Sequence, residues 1–218
     1  MHSTLLKFVP LLFIAVILAG CATSQPYDYS EYKQSRPHSI LVLPPINNSP
    51  DVNATYSMLS QMTYPLAESG YYVFPVTLVD ETFKQNGLNT TADIHAVTPN
   101  KLREIFGADS ALYITITKYG TSYMVISSAA IVSASAKLID LKTDKLLWQG
   151  SASASSEEGQ NNSGGLAAIL ISAIIKQIVS NVMDASHNVA GITSQRLLFA
   201  GHQNGILYGP RSPNYGKD

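Results

Sequence analysis

The fold is decided by the stretch Ser39-Ile40-Leu41-Val42-Leu43-Pro44-Pro45. Its apolar run is short, continuous and rich in branched residues, which is typical of a buried strand rather than of a half-exposed one. The two prolines that follow end the strand, because proline cannot donate a backbone hydrogen bond. The sequence therefore predicts a short, buried, central strand near the start of a folded domain.

A helix is predicted next, from Thr55 to Glu68, because apolar residues recur there at three- and four-residue steps. Pro65 is expected to kink or shorten its last turn, and Gly70 is placed to end it. The rest of this half is predicted as one strand and two helices, at Tyr71–Pro75, Leu78–Gln85 and Thr98–Gly107.

The second half of the chain changes to β-branched, partly alternating patterns, which predict three antiparallel strands in a meander. These strands are followed by a long apolar helix and a further helix. The five elements are predicted at Ala111–Tyr119, Ser122–Leu141, Lys145–Ser155, Gly164–Met183 and Ser186–Phe199.

The predicted fold class is therefore α+β. We expect a single domain with a mixed or antiparallel sheet of about five strands. It has a βαβα start, a β-meander and a long C-terminal helix, and the helices pack on one face of the sheet. The predicted divisions are a signal peptide at 1–20, a lipidated cysteine with a flexible linker at 21–37, the domain at 38–200 and an extended tail at 201–218.

The amino terminus carries a targeting signal. The apolar run from Phe8 to Ala19 is too short to span a bilayer and has the length of a signal peptide. It ends in Leu18-Ala19-Gly20-Cys21, which resembles the bacterial lipobox and implies cleavage before Cys21 and lipid on its thiol. The alternative is a plain secreted protein in which this cysteine, the only one in the chain, stands there by chance.

Lipidation implies a tether to the membrane through Cys21. By analogy with enteric bacteria, Ala22 in the second position favours the periplasmic face of the outer membrane. The stretch from Ala22 to Pro37 has no apolar period, so it is predicted to be a linker that reaches up to ~50 Å. The net charge of −1 gives no reason to expect a nucleic acid partner.

No convincing catalytic set or metal site is present in the sequence, so we expect neither an enzyme nor a cofactor. The histidines of the mature chain lack metal-binding spacing, and each is expected at the solvent-exposed surface. They are His38, His95, His187 and His202.

The long apolar helix suggests self-association. Ile169, Ile174 and Ile178 are the candidate residues for a homodimer face. Packing of this helix on the domain's own sheet is the simpler interpretation. The helix is too short between Gly165 and Lys176 to span a bilayer.

Several stretches resemble a family of uncharacterised bacterial lipoproteins typified by a meningococcal genome-derived antigen. They cover almost the whole mature chain, and the family has no established activity. They include Ser39–Pro45, Pro65–Pro75, Lys101–Asp109, Leu112–Ile116, Leu138–Thr143 and Gly205–Arg211.

The order of elements resembles, more loosely, three groups of envelope proteins. These are the amino-terminal domain of the Tol translocation protein, penicillin-binding-protein activator lipoproteins and curli-secretion lipoproteins. The resemblance implies a non-catalytic protein that binds other envelope proteins in assembly or export. A curli-type pore subunit and an envelope hydrolase are the alternatives. The candidate docking residues are Tyr208, Gly209, Pro210, Arg211 and Tyr215.

Overall fold

The strand predicted from Ser39 to Leu43 lies inside a mixed sheet, with a parallel strand on either side. The structure is a computed structural model that describes residues 27–123, 128–158 and 185–218. The helices in these residues are α1 (Ser30–Ser35), α2 (Ala54–Glu68), α3 (Val76–Gln85), α4 (Thr91–His95), α5 (Pro99–Phe106) and α6 (Ala185–Leu198). The strands are β1 (Ser39–Val42), β2 (Ile46–Asn47), β3 (Tyr72–Val73), β4 (Ser110–Tyr123), β5 (Ser128–Asp140) and β6 (Leu146–Ser155).

The strands are ordered β3-β1-β4-β5-β6, and β2 pairs with β4 outside this path. The pairs among β1, β3 and β4 are parallel, whereas β4, β5 and β6 form an antiparallel meander. The predicted α+β class, the βαβα start and the meander are confirmed, and the sheet is mixed rather than purely antiparallel. Pro65 lies inside α2, which continues to Glu68 and is not shortened there.

Helices cover both faces of β1, so the expectation that they pack on one face is wrong. On one face Ile40 and Val42 join α2 and α6 in a large apolar core. On the other face Leu41 and Leu43 are fully buried in a second core beneath α3, α4 and α5. A continuous apolar run requires this arrangement, because successive residues of a strand point to opposite faces.

The meander differs from β1 because its strands alternate. On β5, Val132 and Leu138 are fully buried in the first core, and Thr193 of α6 donates a hydrogen bond to the Val132 carbonyl at 3.2 Å. The opposite face of the meander, called the open face below, carries mainly polar side chains. Its residues include Tyr113, Thr115, Ser133, Ser135, Lys137, Gln149, Ser151 and Ser153.

The prediction of a linker from Ala22 to Pro37 is wrong for the second half of that stretch. Residues 30–35 form α1, and Tyr32 is buried in the first core with Tyr27 and Tyr29 packed against it. The sequence shows no helical period here because the buried contacts come from these three tyrosines rather than from an aliphatic stripe. The folded domain therefore includes residues 27–37.

Within the described residues, no helix is long and apolar enough to cross a membrane. The signal peptide, Leu18, Ala19, Gly20 and Cys21 lie outside the described residues, as do Ile169, Ile174 and Ile178. The final helix predicted at Ser186–Phe199 is confirmed as α6, Ala185–Leu198.

Candidate binding cleft and C-terminal segment

A cleft of about 860 Å³ lies between the open face and the segment that joins α4 to α5. That segment, from His95 to Pro99, forms one wall. Thr98 precedes α5 with an extended backbone and Pro99 begins the helix, so the chain turns sharply above the sheet. The volume falls in the range of ordinary ligand sites in proteins.

The floor of the cleft carries one charged side chain and several hydrogen-bonding side chains. Lys137 of β5 is paired with Tyr113 on one side and Gln149 on the other. Ser135 and Ser151 form the next cross-strand pair. Hydroxyl and amide groups both donate and accept hydrogen bonds, so this floor is suited to binding a polar segment.

His95 and Tyr113 form one end of the cleft. The His95 Nε2 atom lies 2.9 Å from the Pro44 carbonyl oxygen, and the two rings meet edge to face at 5.3 Å. Burial lowers the pKa of His95, which favours the neutral ring, and the Pro44 carbonyl opposes this shift. Burial also raises the pKa of Tyr113, and the nearby Asp144 charge adds to that shift. The expected position of His95 at the solvent-exposed surface is therefore wrong.

A second polar cluster joins α2 to α6. Ser57 Oγ lies 2.7 Å from His187 Nδ1, and the amide nitrogen of Gln61 lies 2.6 Å from His187 Nε2. Ser57 also contacts the Tyr119 hydroxyl. Both ring nitrogens of His187 therefore contact polar side chains of α2. His187 therefore lies in a polar contact between helices, and not on a solvent-exposed surface as expected.

The described residues contain no group of three or more histidine, cysteine or acidic side chains that could hold a metal ion.

The end of the chain is fastened to the corner between α2 and β3. The Gly209 amide donates to the Ser69 carbonyl at 2.8 Å, and the Arg211 amide donates to the Gly70 carbonyl at 3.0 Å. Gly70 has φ +99°, and a Cβ there would lie 2.5 Å from the Ser212 nitrogen. Glycine is required because two backbones touch at this point.

Two buried tyrosines support this contact. The Tyr71 hydroxyl donates to the Leu207 carbonyl at 2.6 Å and lies 2.7 Å from the Tyr32 hydroxyl, which therefore donates to Tyr71. Burial raises the pKa of both phenols. The Tyr208 amide donates to Asp218 Oδ2 at 2.6 Å, which closes residues 208–218 into a compact loop. The prediction of an extended tail is wrong because this loop is packed against the domain.

The family model of GNA1162-like lipoproteins matches residues 27–211 of the chain. The chain belongs to the GNA1162-like lipoprotein family. It is 50% identical to a lipoprotein of Neisseria meningitidis serogroup B over 206 residues, which are 92% of this chain and 95% of the relative. The resemblance of the sequence to this family of bacterial lipoproteins is therefore confirmed.

Solved structures similar to this chain include a lipoprotein of the same family. The crystal structure of lipoprotein GNA1162 from Neisseria meningitidis has a TM-score of 0.54 and 54% identity, over 66% of this chain and all of that one. The LpoB C-terminal domain from Salmonella enterica has a TM-score of 0.38 and 17% identity, over 54% of this chain and 82% of that one. Family membership indicates a membrane protein that is anchored by lipid.

The predicted docking residues of this GNA1162-like lipoprotein are only partly accessible. Gly209 is buried against Gly70, and Tyr208 and Pro210 are half-buried. Arg211 is exposed, with its guanidinium 5.5 Å from the centre of the Tyr72 ring, and Tyr215 is 38% exposed. Their role in docking stays a prediction. It depends mainly on Arg211 and Tyr215, which are the exposed residues among the five.

The residues of the cleft were not predicted as a site. The signal was present in the strict alternation of serine with alanine on β5 and β6, which leaves one face polar. The contribution of His95 could not be found in this way, because α4 has neither a long apolar period nor a link in sequence to the meander.

Proposed function

We propose that this chain is a non-catalytic, lipid-anchored envelope protein that binds other envelope proteins through the cleft on its open face. Lipid on Cys21 would hold it at the periplasmic face of the outer membrane, where it serves assembly or export. The observation that carries this proposal is the open face, because its polar strands lie uncovered within the described part of the chain.

The chemistry of the cleft supports binding of a polypeptide segment. Apart from Lys137 and Asp144, its lining is uncharged at neutral pH, so recognition would depend on hydrogen bonds and shape rather than on a strong field. Arg211 and Tyr215 offer a second contact, since arginine and tyrosine are enriched at interfaces. Self-association through Ile169, Ile174 and Ile178 stays a prediction.

One observation is relevant to the hydrolase alternative, namely the contact between Ser57 and His187. We do not favour it, since Ser57 and His187 lie between α2 and α6 and neither residue lines the cleft. The curli-type pore alternative stays a prediction.

Site-specific photo-crosslinking in the native envelope tests the proposal. A photoreactive residue at Ser135 or Ser151 should give the same discrete protein adduct, and one at Glu81, exposed on α3, should not. Lys137→Glu should weaken the adduct while the folded chain persists. Adducts of equal pattern from all three positions, or none from the cleft, would contradict binding at the open face.

A further inference from the structure

β6 is an edge strand whose own sequence gives it little protection against pairing with another strand. It ends the strand order of the sheet, and its ten residues, Leu146–Ser155, include neither a charged side chain nor a proline. Charged residues and prolines are ordinary means by which proteins keep an exposed strand from pairing with a second chain. From Gly150 to Ser155 the strand contains only glycine, serine and alanine, so its side chains would not obstruct such pairing.

Two side chains from elsewhere in the domain occupy backbone groups on this edge. The Tyr27 hydroxyl accepts a hydrogen bond from the Gln149 amide at 3.1 Å. The Arg196 guanidinium, which comes from α6, donates to the Ser153 carbonyl at 2.8 Å. The backbone groups of Gln149 and Ser153 therefore point away from β5, and side chains take the place that a further strand would occupy.

Both of these side chains are held in place by further contacts. The Tyr27 amide donates to Asn204 Oδ1 at 3.1 Å, and the Tyr27 ring lies 4.9 Å from that of Tyr29. The second terminal nitrogen of Arg196 lies 2.6 Å from Glu158 Oε2. The two contacts with β6 are therefore built into the domain.

Ser151 lies midway between the two occupied groups. Backbone groups alternate between the two sides of a strand, so Ser151 directs its amide and carbonyl outward, as Gln149 and Ser153 do. An added strand would lie about 4.8 Å from β6, and the Tyr27 ring and the Arg196 guanidinium extend into that space. The part of this edge left between them is Ser151 alone, which is too short for a strand to pair.

We propose that Tyr27 and Arg196 form an edge cap that prevents β6 from pairing with β6 of a second copy of this chain. With a two-fold axis through Ser151, Gln149 of one copy lies opposite Ser153 of the other. In an antiparallel pair, the Gln149 amide would then bond the Ser153 carbonyl. These are the two groups that the edge cap occupies, so it removes the bonds on both sides of the axis.

The chemistry of β6 favours a second copy as the strand that is excluded. Since β6 carries no charge, no like charges would face each other across the axis. Pairing would place the open faces of both copies on one side of a continuous sheet, because the axis is perpendicular to the sheet. The edge cap therefore keeps the cleft of each copy separate.

An added cysteine on the axis tests this proposal. The two Cα atoms at Ser151 would lie about 5.5 Å apart, within the range of about 4.4–6.8 Å that a disulfide needs. In the full chain carrying Tyr27→Ala and Arg196→Ala, Ser151→Cys should give a disulfide-linked dimer on non-reducing gels after mild oxidation. With the edge cap intact, Ser151→Cys should stay monomeric. Equal yields of dimer in both backgrounds, or no dimer in either, would overturn the proposal.

Two matched variants test the register and the location. Ser153→Cys in the uncapped chain should not link, since its two copies would lie about 14 Å apart. A yield equal to that of Ser151→Cys would contradict the two-fold axis. Tyr64→Ala with Arg103→Ala changes the same residue types at exposed positions outside β6, so Ser151→Cys should stay monomeric in that background.

A single variant makes the test independent of the folding of the double variant. Arg196→Ala leaves the contacts of Tyr27 intact and opens one end of the edge, so Ser151→Cys should give an intermediate yield there. A yield no higher than with the intact edge cap would show that Arg196 does not protect β6. The same backgrounds without the added cysteine give the dimer formed through Cys21, which is subtracted.

Discussion

The two halves of the sheet differ in how many of their faces are buried. On β1, neighbouring residues Leu41 and Val42 point to opposite faces and both are fully buried. On β5, Leu138 is fully buried while its neighbour Lys137 is exposed on the open face. The first half is therefore buried on both faces, whereas the meander packs one face against the core and leaves the other open.

Truncation on each half should show the largest contrast. Leu41→Ala should lower the free energy of unfolding by about 2–5 kcal/mol, because it leaves a cavity in the second core. Ser135→Ala on the open face should change it by no more than about 0.5 kcal/mol. Urea denaturation of the mature chain measures both. A small effect for Leu41→Ala would mean that the second core is loosely packed.

The contact that locks the C-terminal loop onto the scaffold should give the next largest effect. A left-handed backbone costs a residue other than glycine about 1–2 kcal/mol. Gly107→Ala, where φ is +69° and a Cβ meets nothing within 4 Å, should lose this amount alone. Gly70→Ala should lose about 1–3 kcal/mol more through overlap with Ser212.

Limited proteolysis gives the second measurement. Gly70→Ala should expose residues 208–218 to cleavage before the domain unfolds, whereas Gly107→Ala should not. Equal losses of stability and equal cleavage in the two variants would contradict a backbone contact specific to Gly70.

The elements that could be predicted from sequence are those whose local pattern and burial agree. β1 and the helix between Thr98 and Gly107 are of this kind, since proline begins that helix and Gly107 ends it with φ +69°. α1 was missed because only tertiary contacts of Tyr27, Tyr29 and Tyr32 bury it. β2 was not predicted, since two residues are too few to show a period.

The candidate site was less accessible to prediction than the fold. The open face follows from alternation, but the cleft exists only where α4 and the start of α5 cross above it. His95 lies next to Tyr113 only because of the order of the strands in the sheet, and no local sequence pattern encodes that order. The sequence likewise suggested Gly209 for docking, although its backbone contact with Gly70 makes it a packing residue.

The buried tyrosine pair should make the scaffold sensitive to high pH. Tyr71→Phe should cost about 1–1.5 kcal/mol at neutral pH, because it removes the hydrogen bond to the Leu207 carbonyl. Burial raises the pKa of both phenols above the ordinary value of 10.0. Their contribution to stability is therefore complete below pH 10 and is lost as the pH rises further.

The double variant Tyr32→Phe/Tyr71→Phe isolates this titration. Its stability should decline less steeply above pH 10 than that of the unchanged chain, as measured by urea midpoints. An identical decline would assign alkaline unfolding to other groups.

The smallest effect should arise at His95, where the scaffold meets the open face. Burial lowers the pKa of His95 in the folded chain below the ordinary value of 6.5. The unfolded chain then binds the proton more readily, so stability is fully present above pH 6.5 and is lost as the pH falls through the folded pKa. His95→Gln keeps a donor for the Pro44 carbonyl and removes the charge, so it should flatten the decline in urea midpoint between about pH 7 and 5.5.

Because the same wall bounds the cleft, the crosslink from Ser135 should weaken over that pH range in the unchanged chain and persist in His95→Gln. If both chains lose the crosslink alike, His95 does not couple the wall of the cleft to pH.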